Sequence, residues 1–205
     1  MAYFPLFTDI SSKKCAVAGG GAVALRKVRT LLSYGADVYV SAREICPDIR
    51  ALLGEDRLVQ GDLTEDFFSG AVLVVAATSD REANHRIAEY CRQRQIPVNV
   101  TDCPEECTFI FPAVVRRGEI SIGINSGTGT PALTRNLRRR ISEAVPEIYG
   151  QVGKQMADFR DRVRKEVADE KSRGRILGAA ADLAFDRQRL LTEEELDEII
   201  RRELT

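Results

Sequence analysis

Residues 15–28 read Cys-Ala-Val-Ala-Gly-Gly-Gly-Ala-Val-Ala-Leu-Arg-Lys-Val. The first four are small and apolar, as a short strand requires, and three glycines follow. From Ala22 to Tyr34 the residues Leu25, Val28, Leu31 and Leu32 recur at spacings of three and four, which is a helical period. Gly19-x-Gly21-x-x-Ala24 therefore lies between a strand and a helix. In that setting the first glycine permits a tight turn, the second lets a pyrophosphate approach the backbone, and the small third residue lets helix pack on strand. The helix N-terminus adds free N–H groups and positive potential. Gly19, Gly20 and Gly21 are accordingly candidate dinucleotide contacts; a glycine turn without a ligand is the competing reading.

Working outward, Gly35 follows the helix where a left-handed residue is wanted. Asp37–Ala42 reads as a second strand, Leu58–Gln60 as a weaker third, and the apolar run Ala71–Thr78 as a strand buried on both faces. Asp80–Gln95 reads as a helix and Pro97–Thr101 as a strand. This alternation predicts an α/β fold with a parallel sheet flanked by helices. Phe109–Val115 and Ile120–Asn125 read either as a hairpin or as two strands extending that sheet. Beyond residue 130 the pattern is helical, with Ala132–Val145 presenting Leu133, Leu137, Ile141 and Val145 on one face and a long charged helix over Glu147–Lys171. Thr192 and Glu195 have the spacing of a capping box. The composition shift near 130 is the strongest internal boundary.

Two hundred and five residues, 44% of them hydrophobic, suffice for a core without disulfide or metal staples. Thirty basic against 31 acidic residues argue against a chain that lives on nucleic acid. Five cysteines, an odd number, and no basic start leading into an apolar run suggest reduced thiols in a cytoplasm. No stretch approaches the roughly 18 apolar residues that span a membrane.

Several segments carry candidate chemistry. An acidic residue at the end of the second strand ordinarily accepts from the ribose hydroxyls, but that place reads Ser41-Ala42-Arg43-Glu44. Glu44 suits a ribose and Arg43 a 2′-phosphate, so the choice between NAD and NADP stays open on these residues. Thr78 falls at the carboxyl end of the fourth strand, where open α/β sheets bind ligands; Asp80 is expected to cap the next helix. Asp102 ends the fifth strand on the same sheet edge, either as a base or proton-orienting group or as a turn residue ahead of Pro104. Cys103 and Cys107 lack zinc-site spacing and His85 is the one histidine, so no metal site is expected. Hydroxyls and glycines at Ser126-Gly127-Thr128-Gly129-Thr130 precede a helix carrying Arg135 and form a second candidate anion site. From 135 to 165 there are nine basic residues against four acidic ones. That excess fits nucleic acid, a poly-carboxylate substrate or a solvated helix face, and residue types alone favour the last.

The spelling of five ordered stretches adds to this. Cys15–Val28, Ala76–Asn84, Val98–Pro104, Phe111–Gly118 and Ser126–Pro131 together resemble the precorrin-2 dehydrogenase family, the N-terminal module of siroheme synthase. The resemblance runs from about residue 3 to 145 and more loosely beyond. It implies a Rossmann-like domain over 1–108, a strand–helix dimerisation region over 109–145 and a small helical C-terminal domain over 146–205, assembled as a homodimer. It implies NAD-dependent oxidation of precorrin-2 to sirohydrochlorin, leaving iron insertion open, and the end of the chain at 205 is read as lacking the methyltransferase module of some members. Asp102 matches the family's catalytic aspartate and Ser126 a serine at the tetrapyrrole site. Ala22 and Val23 match backbone cofactor contacts, and Arg43 and Glu44 match contacts at the adenosine end, which moves NAD ahead of NADP. A many-carboxylate macrocycle would suit Ser126, Gly127, Thr128 and Arg135. The competing class is an NAD(H)-sensing DNA-binding regulator, for which no helix-turn-helix segment precedes residue 15. The expected partners are thus the tetrapyrrole and a second copy of the chain, with neither nucleic acid nor membrane.

Overall fold

The computed structural model describes residues 3–127 and 130–204. They form two compact units, Tyr3–Phe111 and the chain from Pro112 onward.

In the first unit the alternating pattern becomes five strands: β1 (Lys14–Ala18), β2 (Asp37–Ala42), β3 (Leu58–Gln60), β4 (Leu73–Ala76) and β5 (Val98–Val100). Three α-helices accompany them, α1 (Ala22–Ser33), α2 (Pro47–Leu52) and α3 (Arg81–Gln93). The strands are all parallel in the order β3-β2-β1-β4-β5, with Cys15 facing Val38 on one side and Leu73 on the other. Successive side chains alternate between two cores. Cys15, Val17, Val38, Val40 and Val75 pack beneath Val28 and Leu31 of α1 and Ile49 of α2. Ala16, Ala18, Val74, Ala76, Val98 and Val100 face Phe67, Phe68 and the Ile87–Ala88–Cys91 stripe of α3. Both faces are covered, which is why Leu73–Ala76 reads as an unbroken apolar run. Strand order reverses at β1 and β4, the switch point where such sheets bind ligands.

Periodicity located α1 and α3 to within a residue or two. It missed α2, since six residues are too few to display a helical period. Gly35 is left-handed at φ +73° and its N–H donates to the Leu32 carbonyl at 2.9 Å, closing α1.

In the second unit β6 (Ala113–Arg117) and β7 (Ile120–Ile124) pair antiparallel around Gly118, which is left-handed at φ +55°. The structure chooses the hairpin; these strands form a sheet of their own and do not extend the five-stranded one. Four helices follow, α4 (Pro131–Ala144), α5 (Ile148–Glu166), α6 (Glu170–Arg187) and α7 (Glu193–Leu204). Their core is built from Tyr149, Val152, Phe159 and Val163 of α5, Ile176, Ala180 and Ala184 of α6, and Leu196, Ile199 and Ile200 of α7. The helix expected over Glu147–Lys171 is two helices. Val167 turns extended, and the Asp169 carboxylate accepts from the Ser172 N–H at 2.7 Å, starting α6 afresh. The capping box at the start of α7 forms in both directions: Glu195 N–H donates to Thr192 Oγ1 at 3.3 Å, and Thr192 N–H to Glu195 Oε2 at 2.8 Å. The expected apolar face of α4 is taken into a core only at its end: Val145 packs against the helical core, while Leu133 and Leu137 remain exposed.

Candidate dinucleotide-binding cleft

A cleft of about 1250 Å³ opens along the carboxyl edge of the parallel sheet. Each strand delivers something to it: Gly19 after β1, Ser41 and Ala42 at the end of β2, Gly61 after β3, Ala77 and Thr78 after β4, Thr101 and Asp102 after β5.

The glycine turn is held by the chains beside it. Gly19 is left-handed at φ +125°, and a Cβ there would lie 2.2 Å from the Ala77 carbonyl oxygen. A Cβ on Gly20 would lie 1.9 Å from the Glu44 carbonyl oxygen. Both positions are thus closed by neighbouring backbone. Gly19 N–H donates to the Ser41 carbonyl at 2.8 Å, and the Gly20 carbonyl accepts from Cys46 N–H at 2.9 Å. Gly21 differs. Nothing lies within 4 Å of where its Cβ would be, so the backbone at the start of α1 faces open space. Ala22 and Val23, the next residues, also line the cleft, and Ala24 is fully buried where helix meets strand. An anionic diphosphate fits this cradle: bare backbone, helix N–H groups and no side chain in the way.

Two further features mark the cleft as shaped for a polar ligand. The hydroxyls Ser41 Oγ and Thr101 Oγ1 are buried and have no hydrogen-bond partner among the described residues. Leaving such groups unpaired is costly, and both residues line the cleft.

Thr78 and Asp80 divide the roles at the end of β4. Asp80 caps α3, its Oδ1 accepting from Glu82 N–H at 3.0 Å and Ala83 N–H at 3.1 Å. Thr78 lines the cleft but is clasped by Asn84, a buried residue that sequence reasoning did not single out. Asn84 Oδ1 accepts from Thr78 Oγ1 at 2.7 Å and from its N–H at 3.2 Å, while Nδ2 donates to the Thr78 carbonyl at 3.1 Å. An asparagine one turn into a helix after a strand-end threonine is a signal that could have been read.

Asp102 is exposed and left-handed at φ +60°, a conformation that Asp tolerates better than most side chains. The loop that carries it is fastened back to β5. Val100 N–H donates to Cys107 Sγ at 3.1 Å, and Val98 N–H to Thr108 Oγ1 at 2.8 Å. From the other side His85 Nδ1 lies 2.7 Å from Glu106 Oε1. The hydrogen bond to Glu106, and then its charge, raise the His85 pKa above the ordinary imidazole value. Burial pushes the Cys15 and Cys91 thiols up to about 11, which keeps them protonated and unreactive. Cys103 is raised first through its hydrogen bond to Glu105, and Cys107 by burial. Among the described residues no group of three or more His, Cys, Asp or Glu side chains is placed to hold a metal ion.

At the far lip Arg43 and Glu44 also line the cleft, with the Arg43 Nε donating to Asp62 Oδ1 at 2.9 Å. The remaining sequence candidates belong to the second unit. Ser126 Oγ lies 2.5 Å from Thr134 Oγ1, Gly127 is left-handed at φ +65° with its N–H on Asn125 Oδ1, and Arg135 is exposed on α4. Thr128 lies outside the described residues.

A family model described as "Putative NAD(P)-binding" matches residues 6–113, the whole of this sheet and cleft. The chain belongs to that NAD(P)-binding family. Among curated relatives, the siroheme synthase of Nitrosospira multiformis is 38% identical over 197 residues, covering 90% of this chain and 42% of that protein. The siroheme synthase of Methylococcus capsulatus is 36% identical over 206 residues, covering 94% and 43%. The chain thus spans about two fifths of the length of these relatives. A solved structure titled "SirC, precorrin-2 dehydrogenase" shares the fold along 98% of both chains, with a TM-score of 0.76 and 20% identity. The relationship to siroheme synthases expected from the five motifs is therefore met, as is the Rossmann-like fold class. No helix among the described residues is long and apolar enough to cross a membrane.

Proposed function

We propose that this chain is an NAD-dependent dehydrogenase that oxidises precorrin-2 to sirohydrochlorin in siroheme biosynthesis. The observation that carries the reading is the meeting, in one cleft, of an open glycine cradle, two buried unpartnered hydroxyls and the carboxylate of Asp102. The names of its relatives supply the tetrapyrrole and the pathway.

Bound NAD would supply the hydride acceptor. Gly19, Gly20 and Gly21 shape the turn that receives its diphosphate, with Ala22 and Val23 offering backbone N–H groups at the first turn of α1. Arg43 and Glu44 stand at the adenosine end, and Thr78, braced by Asn84, lines the wall between. Asp102 takes or orients the substrate proton that leaves with the hydride; its position on a fastened loop limits how far that carboxylate can wander. Ser126, Gly127, Thr128 and Arg135 serve the substrate's carboxylates through N–H, hydroxyl and guanidinium donors. The exposed Leu133 and Leu137 of α4 support a homodimer formed through the 109–145 region, and five unpaired cysteines suit a cytoplasmic protein.

Anaerobic incubation with precorrin-2 and NAD is expected to yield NADH and the sirohydrochlorin spectrum together. Asp102→Asn keeps the side-chain size and the left-handed backbone. It is expected to lower turnover by about 10²–10⁴-fold while leaving NAD affinity intact. Unmodified protein that binds NAD but turns over no precorrin-2 would sink the reading. Added Fe²⁺ tests insertion separately, since siroheme bands would then appear beyond the NADH signal.

A further inference from the structure

The end of β2 carries no carboxylate where a ribose acceptor ordinarily stands, yet one is delivered from the neighbouring strand. β3 pairs with β2 through Val40↔Leu58, Ser41↔Val59 and Ala42↔Gln60, so the residues after the two strands emerge side by side at the cleft lip. Gly61, at φ +140°, donates its N–H to the Ala42 carbonyl at 3.1 Å and turns the chain so that Asp62 meets Arg43. Asp62 Oδ1 accepts from Arg43 Nε at 2.9 Å. The backbone of Arg43 is held as well: Gln60 Nε2 donates to its carbonyl at 3.2 Å, and Arg50 Nη2 donates to Gln60 Oε1.

Both side chains of the pair are more than four-fifths exposed, at 82% and 83%. Such a pair contributes little to stability. What it does affect is the charge met by a ligand, since both residues line the cleft. Among the residues lining the whole cleft, the carboxylates Glu44, Asp62, Glu65, Asp80 and Asp102 outnumber the cations Arg43 and Arg86. A 2′-phosphate would bring a further dianion to that place and would need the Arg43 guanidinium, whose Nε Asp62 already engages. A ribose with a free 2′-hydroxyl meets a carboxylate able to accept its hydrogen bond instead.

We propose that Asp62 selects NAD over NADP, by engaging Arg43 and by placing a carboxylate where a 2′-phosphate would lie. The proposal rests on the dinucleotide reading of the cleft.

The test compares dissociation constants for NAD⁺ and NADP⁺ by calorimetry on the full chain. Asp62→Asn is expected to shift the preference toward NADP⁺ by about tenfold, by removing one charge beside a dianion at the surface. Adding Arg43→Ala to that variant should abolish the gain, because the freed guanidinium is what the phosphate meets. An unchanged NAD⁺ to NADP⁺ ratio in Asp62→Asn, with NAD⁺ binding intact, overturns the proposal. So does a shift produced by Glu44→Gln and not by Asp62→Asn. Unmodified protein that binds neither dinucleotide overturns the reading of the cleft, and this proposal with it.

Discussion

His85 illustrates how a residue's chemistry follows from its partners. On sequence it is the lone histidine of a helix; in the fold it reaches Glu106 and tethers the turn after Asp102. Its pKa is raised first by the hydrogen bond to Glu106 and then by that carboxylate's charge. A raised folded-state pKa means that the protonated pair stabilises the fold fully below the unfolded imidazole value of about 6.5. That contribution is lost as pH rises through the folded-state value. The melting-temperature difference between the unmodified protein and His85→Gln is therefore expected to be largest near about pH 5.5 and to shrink by about pH 9. A difference that grows with pH would contradict this. The glycines show the same dependence on surroundings. Gly19 and Gly20 are closed off by the Ala77 and Glu44 carbonyls, whereas only Gly21 faces open space, a distinction the triplet itself does not display.

At the scale of elements, helices announced by period and punctuation were legible: α1 ends at Gly35, α3 starts at Asp80, and α7 opens on its capping box. Those resting on a competition were not. The charged stretch 147–171 has helix-forming composition throughout, and its break depends on Asp169 reaching the Ser172 N–H. Two glycines of α5 make a related contrast. A Cβ on Gly150 would lie 2.9 Å from the Arg117 carbonyl carbon and the Gly118 nitrogen, because helix and hairpin turn meet there. A Cβ on Gly153 would meet only the Ile120 side chain, Cδ1 at 3.6 Å and Cγ1 at 3.7 Å, which are ordinary contacts. Gly150→Ala is expected to destabilise by about 1–3 kcal/mol through overpacking. Gly153→Ala should stabilise by up to about 1 kcal/mol from helix propensity. Denaturant unfolding of both variants checks the pair, and equal effects would mean that the close approach at Gly150 is not what governs it.

Across the whole molecule each unit has its own core, with the sheet faces on one side of residue 112 and the α5–α6–α7 cluster on the other. Ile176 is fully buried in the latter. Ile176→Ala is expected to cost about 2–5 kcal/mol in equilibrium unfolding. NAD affinity should stay unchanged at temperatures where the protein is folded, because the cleft shares no residue with that core. Charge is likewise balanced within the second unit. Within the basic stretch 135–165, Arg139 pairs with Glu143 and Arg162 with Glu166, and Arg162 also reaches Glu193 and Asp197 of the acidic C-terminus; beyond the stretch, Arg187 and Arg189 pair with Glu195. Eight of the nine basic residues of 135–165 are exposed, Arg162 being the exception.

The strand–glycine–helix turn, the buried fourth strand and the main helix boundaries follow from the sequence alone, because periodicity, caps and turn glycines act over a few residues. Asp62 beside Arg43 and the hairpin's separation from the sheet were decided by tertiary structure. Strand order and register set Asp62 beside Arg43, 19 positions earlier, and no local pattern encodes which neighbour each strand will take. The missing carboxylate after β2 is therefore a matter of where to look, since pairing with β3 sets Asp62 at the same lip.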